Sequence, residues 1–264
     1  FKIGTDEMQG VWNADTHVVP DHRSVSVWFA YQANKIAPKV SLGMPSPNNY
    51  AILSAANAVI DVGRFTDLKA CLDLGPILKA KGINAVLSSV CGGVFSVVPK
   101  LFSVYAKLRA KNDIVVEEVD RFDSRLDDLW QSVARDYEGA MVRNKRFLAW
   151  RFDRCPNRDY TRFVAERDGE IVGYMVTRHF RWGGFGRGRI VDYLVRPGDT
   201  AALNSLLERA TRDFASRGIV SIICSVYTTN QEQLQEFRRH GFLYSRPGSQ
   251  ICIDRSSLAD TLAG

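Results

Sequence analysis

The chain has 264 residues, of which 45% are hydrophobic and 24% charged, so it is long enough for one or two globular domains with buried cores. The net charge of +6 suits a protein that handles anionic ligands, but without a polybasic run no nucleic-acid partner is expected. Five scattered cysteines without a CxxC pair argue against a metal site or a disulfide framework and are typical of a cytoplasmic protein.

The first informative stretch is "DTHVVPDHRSVSVW", Asp15–Trp28. It predicts a strand, a stop at Pro20, an Arg-led loop and the start of a helix that continues to Ile36. An apolar strand, "KVSLGM", and an Asn-marked turn, "SPNNYAILSAA", follow. This order of strand, helix, strand and helix is typical of a sheet covered by helices.

The segment Ile83–Pro99, "INAVLSSVCGGVFSVVP", carries no charged residue. A membrane-spanning helix needs about 20 strongly apolar residues. This segment is shorter, and its Ser, Asn, Gly and Pro residues dilute it. We interpret it as a buried segment between domains, with membrane contact as the alternative, and expect no stable membrane insertion.

The second half of the chain predicts a complete domain. "DIVVEEVDRF" from Asp113 predicts a strand, Ser124 is a plausible N-cap for a helix through Tyr137, and "RNKRFLAWRF" predicts a second helix. "TRFVAERDGEIVGYMVTRHF" predicts a hairpin that turns at Asp168-Gly169. The elements that follow are a glycine-rich loop, Arg181–Arg189; a strand at Asp192; a helix, Ala201–Ser216; a strand, "IVSIICSV"; a helix within "TTNQEQLQEFRRHGF"; and a strand, "SQICIDR". The predicted class is α/β, in the form of an α+β mixed sheet.

The pattern D-x-x-V-x-P occurs twice, as "DTHVVP" from Asp15 and "DYLVRP" from Asp192. Both copies are followed by a helical pattern, an apolar strand and an Asn-marked turn. The repeat predicts two tandem domains. Residues 1–80 would form a partial first domain, 81–112 a segment between the domains, and 113–264 a complete second domain.

Three stretches resemble the GNAT superfamily of acyl-CoA N-acyltransferases. "VAERDGEIVGYMV" is similar to the second and third strands of that family, "VVPDHRSVSVW" to its V-x-P-x-x-R-G-x-G-x-G motif, and "EFRRHGF" to its late helix. "RNKRFLAWRFDRCP" behind a partial copy resembles tandem-GNAT proteins, some of which acylate amino groups on sugars. The resemblance implies two tandem GNAT-like domains, acetyl-CoA or another acyl-CoA as donor, and a primary amine as acceptor. Only about twenty residues precede the first motif's helix, so the first domain is expected to lack its opening elements.

The resemblance also implies a pyrophosphate site at the loop of the first copy. Backbone N–H groups and a helix N-terminus suit an anion there, and glycine permits close approach. In this chain Arg23 keeps the cation, Ser24 and Ser26 stand at the first two glycine positions, and Trp28 stands at the third. The candidate cofactor-binding residues are Val18, Val19, Arg23, Ser24, Val25, Ser26, Val27 and Trp28. A plain strand-to-helix corner with serine caps is the alternative.

The second copy departs further from the motif. Pro197 is followed by Gly198, Asp199 and Thr200, without the Arg and the glycine pattern. The carboxylate of Asp199 would repel a pyrophosphate. We therefore interpret the second domain as degenerate, with Asp199 or Thr200 as a helix cap.

Amine acylation needs a base for the ammonium and an acid for the leaving thiolate. Asp15 and His17 alternate on one strand face, where His17 suits a base and Asp15 can orient it or act through water. Tyr50 lies where the family often has the tyrosine that protonates the thiolate, whereas the second copy has Phe237. A polar pair facing solvent and a packed aromatic ring are the plainer interpretations of these candidates.

Two further features are candidate binding elements. Trp150 and Arg151 suit an acceptor, because Trp stacks on sugars and Arg pairs with phosphate. The loop "RWGGFGRGR" suits a nucleotide moiety or single-stranded RNA, with an exposed mobile hairpin as the plainer interpretation.

The leading hypothesis is an acyl-CoA-dependent N-acyltransferase for an amino sugar or another small amine. One alternative is a non-catalytic, degenerate GNAT pair that binds a ligand or partner. The other is a Fem-type aminoacyltransferase that uses charged tRNA, although the heptad run of a Fem-type coiled-coil arm is missing. The acceptor, the acyl length and the oligomeric state stay open.

Overall fold

The computed structural model describes the residues 2–3, 6–7, 11–13, 41–43, 50–51, 54–55, 57, 59–84, 87, 113–137, 139–155, 158–227 and 231–254. The chain forms two compact units. The terminal unit comprises Phe1–Thr66, Tyr137–Val142 and Pro247–Gly264, and the central unit comprises Asp67–Asp136 and Arg143–Arg246. The predicted limits 1–80, 81–112 and 113–264 refer to the sequence repeat and stay a prediction.

The described strands are β1 Lys2–Ile3, β2 Asp6–Glu7, β3 Val11–Asn13, β4 Ser41–Gly43, β5 Val59–Cys71, β6 Ile114–Glu118, β7 Gly139–Ala140, β8 Thr161–Arg167, β9 Glu170–Trp182, β10 Phe185–Val195, β11 Ser221–Val226 and β12 Tyr244–Asp254. The described helices are α1 Gly75–Ala80, α2 Arg125–Val133, α3 Lys145–Leu148, α4 Thr200–Ser216 and α5 Gln231–Arg239. A 3₁₀ turn, Ala134–Asp136, follows α2, and a π-helical turn, Ala149–Asp153, follows α3.

The terminal unit holds two sets of paired strands. The short strands β2, β1 and β7 form an antiparallel sheet in that order. Strand β3 runs parallel to β4, and β4 pairs antiparallel with β12, where Cys252 lies opposite Gly43.

The central unit is built on a mixed sheet. Its strands follow the order β11, β10, β9, β8 and β6, and Leu72, directly after β5, donates its N–H to the carbonyl of Val220 before β11. The pairs β6–β8, β8–β9 and β9–β10 are antiparallel, whereas β10 and β11 are parallel because α4 connects them. The predicted mixed sheet and the predicted element order of the second domain are confirmed.

Helix α4 supplies most of the core on one side of this sheet. The apolar positions that predicted its inner face are all buried: Leu203, Leu206, Leu207, Ala210 and Phe214. A Cβ atom at Gly188 would lie 2.7 Å from the Phe214 ring, so this ring packs directly on the backbone of β10. On the other side of the sheet, Phe122 before α2 meets Tyr174 of β9 edge-to-face at 5.5 Å.

The hairpin turns show one confirmed prediction and one wrong one. Asp168 and Gly169 turn β8 into β9 with φ values of 53° and 83°, as the sequence predicted. The predicted loop Arg181–Arg189 instead belongs to β9 and β10, which continue to a two-residue turn at Gly183 and Gly184. The two glycines adopt φ values of 61° and 82°, which accommodate a tight turn without interrupting the strands.

The helix ends also differ from the prediction. Ser124 lies at the N-cap of α2, but its side chain makes no capping bond. The Asp123 carboxylate accepts the Arg125 N–H at 2.9 Å instead. The α-helical part ends at Val133, where a 3₁₀ turn replaces the predicted continuation to Tyr137.

Within the described ranges, no helix is long and apolar enough to cross a membrane. Most of Ile83–Pro99 lies outside those ranges. A search of the same residues finds no group of three or more His, Cys, Asp and Glu side chains placed to hold a metal ion.

Candidate functional site

Strands β10 and β11 separate partway along their length in the central unit. Their parallel ladder runs from Arg187 opposite Ser221 to Ile190 opposite Cys224. Directly beyond it, the register of β10 against β9 shifts between Ile190 and Asp192, while β10 continues to Val195. Such an irregularity bends a strand and re-aims its side chains. The two parallel strands therefore splay open toward the N-terminus of α4.

Side chains of α5 close this opening. Gln233 is buried, and its Oε1 accepts the Tyr193 hydroxyl at 3.4 Å. The Tyr193 ring packs edge-to-face on Phe237 at 5.5 Å. What remains is a shallow groove without enclosed volume, lined by Val195, Arg196, Gly198, Asp199, Thr200, Leu203, Glu232 and Gln233. Ligand pockets are usually clefts of about 300–1,000 Å³, so this groove does not enclose a nucleotide cofactor.

A carboxylate occupies the N-terminus of α4. Asp199 accepts the Ala202 N–H at 3.0 Å, so of the two predicted caps, Asp199 is the one that caps the helix. Arg167 donates to both Asp199 oxygens, at 2.9 and 3.2 Å, and this bonding raises the pKa of Arg167. An anion arriving here would meet a negative charge that already satisfies the helix terminus.

Asp192, the counterpart of Asp15 in the sequence repeat, is held inside the central unit. Tyr174 donates its hydroxyl to Asp192 Oδ2 at 2.8 Å, and Arg143 pairs with Oδ1 at 3.3 Å. Burial, reinforced by the Asp192 charge, raises the pKa of Tyr174 well above its usual value. In the second copy this aspartate therefore anchors the strand that carries the bulge.

Tyr50, in the terminal unit, belongs to a polar cluster. Its hydroxyl donates to Asp61 Oδ2 at 2.9 Å, and the Gly63 N–H donates to Oδ1 at 2.8 Å. Gln250 also donates to Asp61, and Arg64 donates to Gln250 at 2.8 Å. The Tyr50 hydrogen bond is the main cause of a lowered pKa at Asp61, so the carboxylate is ionised and holds the phenol as a donor.

No family model and no curated protein matches the sequence. Similarity to solved structures covers nearly the whole chain. A GCN5-related N-acetyltransferase from Anabaena variabilis matches 96% of this chain with 56% of its own length, at TM-score 0.56 and 11% identity. A tandem GNAT protein from the clavulanic acid biosynthesis pathway matches 94% of this chain with 76% of its own length, at TM-score 0.54 and 13% identity. Saccharomyces cerevisiae N-myristoyltransferase with bound myristoyl-CoA matches 96% of this chain with 63% of its own length, at TM-score 0.57 and 13% identity.

The chain has a tandem GNAT fold. The resemblance stated from its motifs is thereby confirmed at the level of the fold, which is what identities of 11–13% establish. The chain spans about half the length of the Anabaena protein, 56%. In this fold, β10 and β11 are the parallel pair that splays, and α4 begins a few residues beyond the end of β10.

The predicted site residues of the GNAT resemblance are described only in part. Asp15, His17 and the loop residues from Val18 to Trp28 lie outside the described residues and stay predictions. The predicted acceptor-binding residues, Trp150 and Arg151, are both exposed on the π-helical turn after α3, with 64% of the Trp150 surface accessible. The cluster around Asp61, which accepts from Tyr50 and from Gln250, was missed, because no local pattern links Asp61 to Gln250, 189 residues away.

Proposed function

We propose that this protein is an acyl-CoA-dependent N-acyltransferase that acylates a primary amine, on an amino sugar or another small amine. The tandem GNAT fold supports an acyl-CoA donor. The observation that carries the proposal is the Asp199–Arg167 pair, which occupies the anion-binding helix terminus of the second copy. We therefore assign the donor to the first copy, whose loop offers Arg23, Ser24 and Ser26.

The proposed chemistry uses three residues of the first copy. His17, oriented by Asp15, accepts a proton from the substrate ammonium. Tyr50 protonates the leaving thiolate, for which its hydroxyl must turn from Asp61 to the sulfur. Between turnovers the Asp61 carboxylate accepts the Tyr50 hydroxyl and so holds it as a donor. Asp61 would thus act as a positioning residue for the Tyr50 hydroxyl.

Trp150 and Arg151 stay the proposed contacts of the acceptor. Phe147 flanks the Trp150 ring at 5.8 Å, and the Arg151 guanidinium lies 5.5 Å from the centroid of Phe152. Both side chains are exposed and are therefore available to a ligand. A ring next to a cation suits a sugar that carries an anionic group.

Calorimetric titration of acetyl-CoA and of a longer acyl-CoA into the full chain tests the donor site. We expect binding that Arg23→Ala and Ser26→Glu abolish, since the first removes the cation and the second adds an anion. Arg196→Ala is the matched control, because Arg196 is an exposed cation beside the corresponding loop of the second copy. Absence of binding by the folded protein would favour the non-catalytic alternative, and loss of binding only in Arg196→Ala would place the donor in the second copy.

Release of free CoA thiol in the presence of amino sugars tests the catalytic residues. We expect Tyr50→Phe to lower kcat by about a hundredfold, the usual contribution of a general acid, with little change in KM. Asp61→Asn keeps an acceptor for the phenol and should lower kcat less. Unchanged turnover in Tyr50→Phe would exclude the tyrosine as the acid.

A further inference from the structure

The hairpin of β9 and β10 presents one face on which arginines and aromatic rings alternate. In its antiparallel ladder Arg178 lies opposite Arg189, Phe180 opposite Arg187, and Trp182 opposite Phe185. Opposite residues share a face of the sheet, and so does every second residue along a strand. We call these six residues the hairpin face.

The reverse side of the hairpin is anchored in the central unit. A Cβ atom at Gly186 would meet the Ile219 side chain at 3.0 Å, and one at Gly188 would meet the Phe214 ring. Gly186 and Gly188 alternate with Arg187 and so point to the opposite side. The hairpin face is therefore turned away from α4, and the ribbon behind it is fixed by packing.

The hairpin face is rich in hydrogen-bond donors and poor in acceptors. Within the described part of the chain, none of the ion pairs involves Arg178, Arg187 or Arg189. Beneath this face, the buried atoms Arg187 Nε and Ser221 Oγ have no hydrogen-bond partner in that part. Asp67, across from β11 on this side, is already engaged by Ser225 and Arg246. No carboxylate of the described residues pairs with these three guanidinium groups, so an anionic ligand would supply acceptors for them.

The aromatic rings on this face are not needed for the core. Trp182 is 69% exposed, and Phe180 and Phe185 are half-buried. The Arg187 guanidinium lies 5.8 Å from the Trp182 centroid, and that of Arg178 lies 5.4 Å from the Phe180 centroid. Cations beside exposed ring surfaces form a platform for planar, negatively charged ligands.

We propose that the hairpin face binds single-stranded nucleic acid, with phosphates on the three arginines and bases stacked on Trp182 and Phe185. Alternating cations and rings on a sheet surface satisfy both the backbone and the bases of a single strand. An acidic peptide would engage the arginines but would leave the rings without a stacking partner. No nucleic-acid partner was expected because the sequence has no continuous basic run. Strand pairing nevertheless brings these cations together.

Fluorescence anisotropy with the full chain and a labelled oligouridylate of about twelve nucleotides tests this proposal. We expect binding that weakens steeply between about 50 and about 200 mM salt, because phosphate contacts release counterions. Trp182→Ala should weaken binding about 5- to 150-fold, the usual range for one stacked base, and Trp182→Phe should restore most of it. Arg189→Ala should also weaken binding, whereas Arg238→Ala, which removes an exposed cation from α5, should leave it within about twofold.

Three results would overturn the proposal. They are the absence of binding at low salt, equal affinity for a duplex of the same length, and equal competition by polyglutamate together with no effect of Trp182→Ala. Far-UV circular dichroism checks that each variant is folded. We expect both variants to fold, because the side chains of Trp182 and Arg189 are exposed. Acyl-CoA binding should be unchanged in Trp182→Ala, so failure of this proposal is distinguishable from failure of the proposed acyltransferase function.

Discussion

Asp199 caps α4 and forms an ion pair with Arg167. Two substitutions at this position can separate the free-energy contributions of the cap and of the ion pair. Asp199→Ala removes both the acceptor for the Ala202 N–H and the partner of Arg167, whereas Asp199→Asn keeps a good cap and removes the charge. A cap contributes about 1 kcal/mol. The ion pair is 13% exposed at Asp199 and 27% at Arg167, so we place it between surface and buried pairs, at about 1–2 kcal/mol. The expected loss of unfolding free energy is about 2–3 kcal/mol for Ala and about 1–2 kcal/mol for Asn.

Urea unfolding followed by far-UV circular dichroism measures both losses, provided that the m value is unchanged. The Arg167 guanidinium retains Asp113 at 3.3 Å, which limits the damage in the Asn variant. Equal stabilities of the Ala and Asn variants would refute the capping role. An Asn variant as stable as the wild type would refute the contribution of the ion pair.

Three further predictions concern the core of the central unit. Burial lowers the pKa of His240 to about 4, below the unfolded value of about 6.5, so the unfolded state binds more protons between these values. Stability should therefore fall as the pH drops from 6.5 toward 4, and His240→Gln should flatten this slope in urea unfolding; an unchanged slope would contradict it. Gly188→Ala should cost about 1–3 kcal/mol by pushing on Phe214, and Phe214→Leu should be milder in that background than alone. Tyr174→Phe should cost about 1–3 kcal/mol, because Asp192 loses a buried donor; a melting temperature equal to that of the wild type would argue against this.

Local signals predicted most of the elements of the central unit. The Asp168-Gly169 dipeptide identified a hairpin turn, and the leucine spacing of α4 identified its buried face. The glycine-rich stretch from Arg181 was wrongly predicted as a loop. Two of its glycines form a tight turn, while Gly186 and Gly188 make room for side chains from beyond the hairpin, a long-range packing effect that composition does not reveal.

The candidate site was predictable where a residue acts on its own helix. Asp199 was identified as a possible cap because it directly precedes the helical pattern. Its ion pair with Arg167, 32 residues away, and the hydrogen bond of Tyr174 to Asp192 depend on strand pairing, which one sequence does not specify.

We propose that the first copy, and not the second, holds acyl-CoA. Hydrogen-exchange mass spectrometry of the full chain, with and without saturating acetyl-CoA, tests it most directly. We predict slower exchange in peptides that cover Asp15–Trp28 and unchanged exchange in peptides that cover Val195–Leu203. Protection confined to Val195–Leu203 would contradict the assignment, and no protection anywhere would contradict the proposed donor.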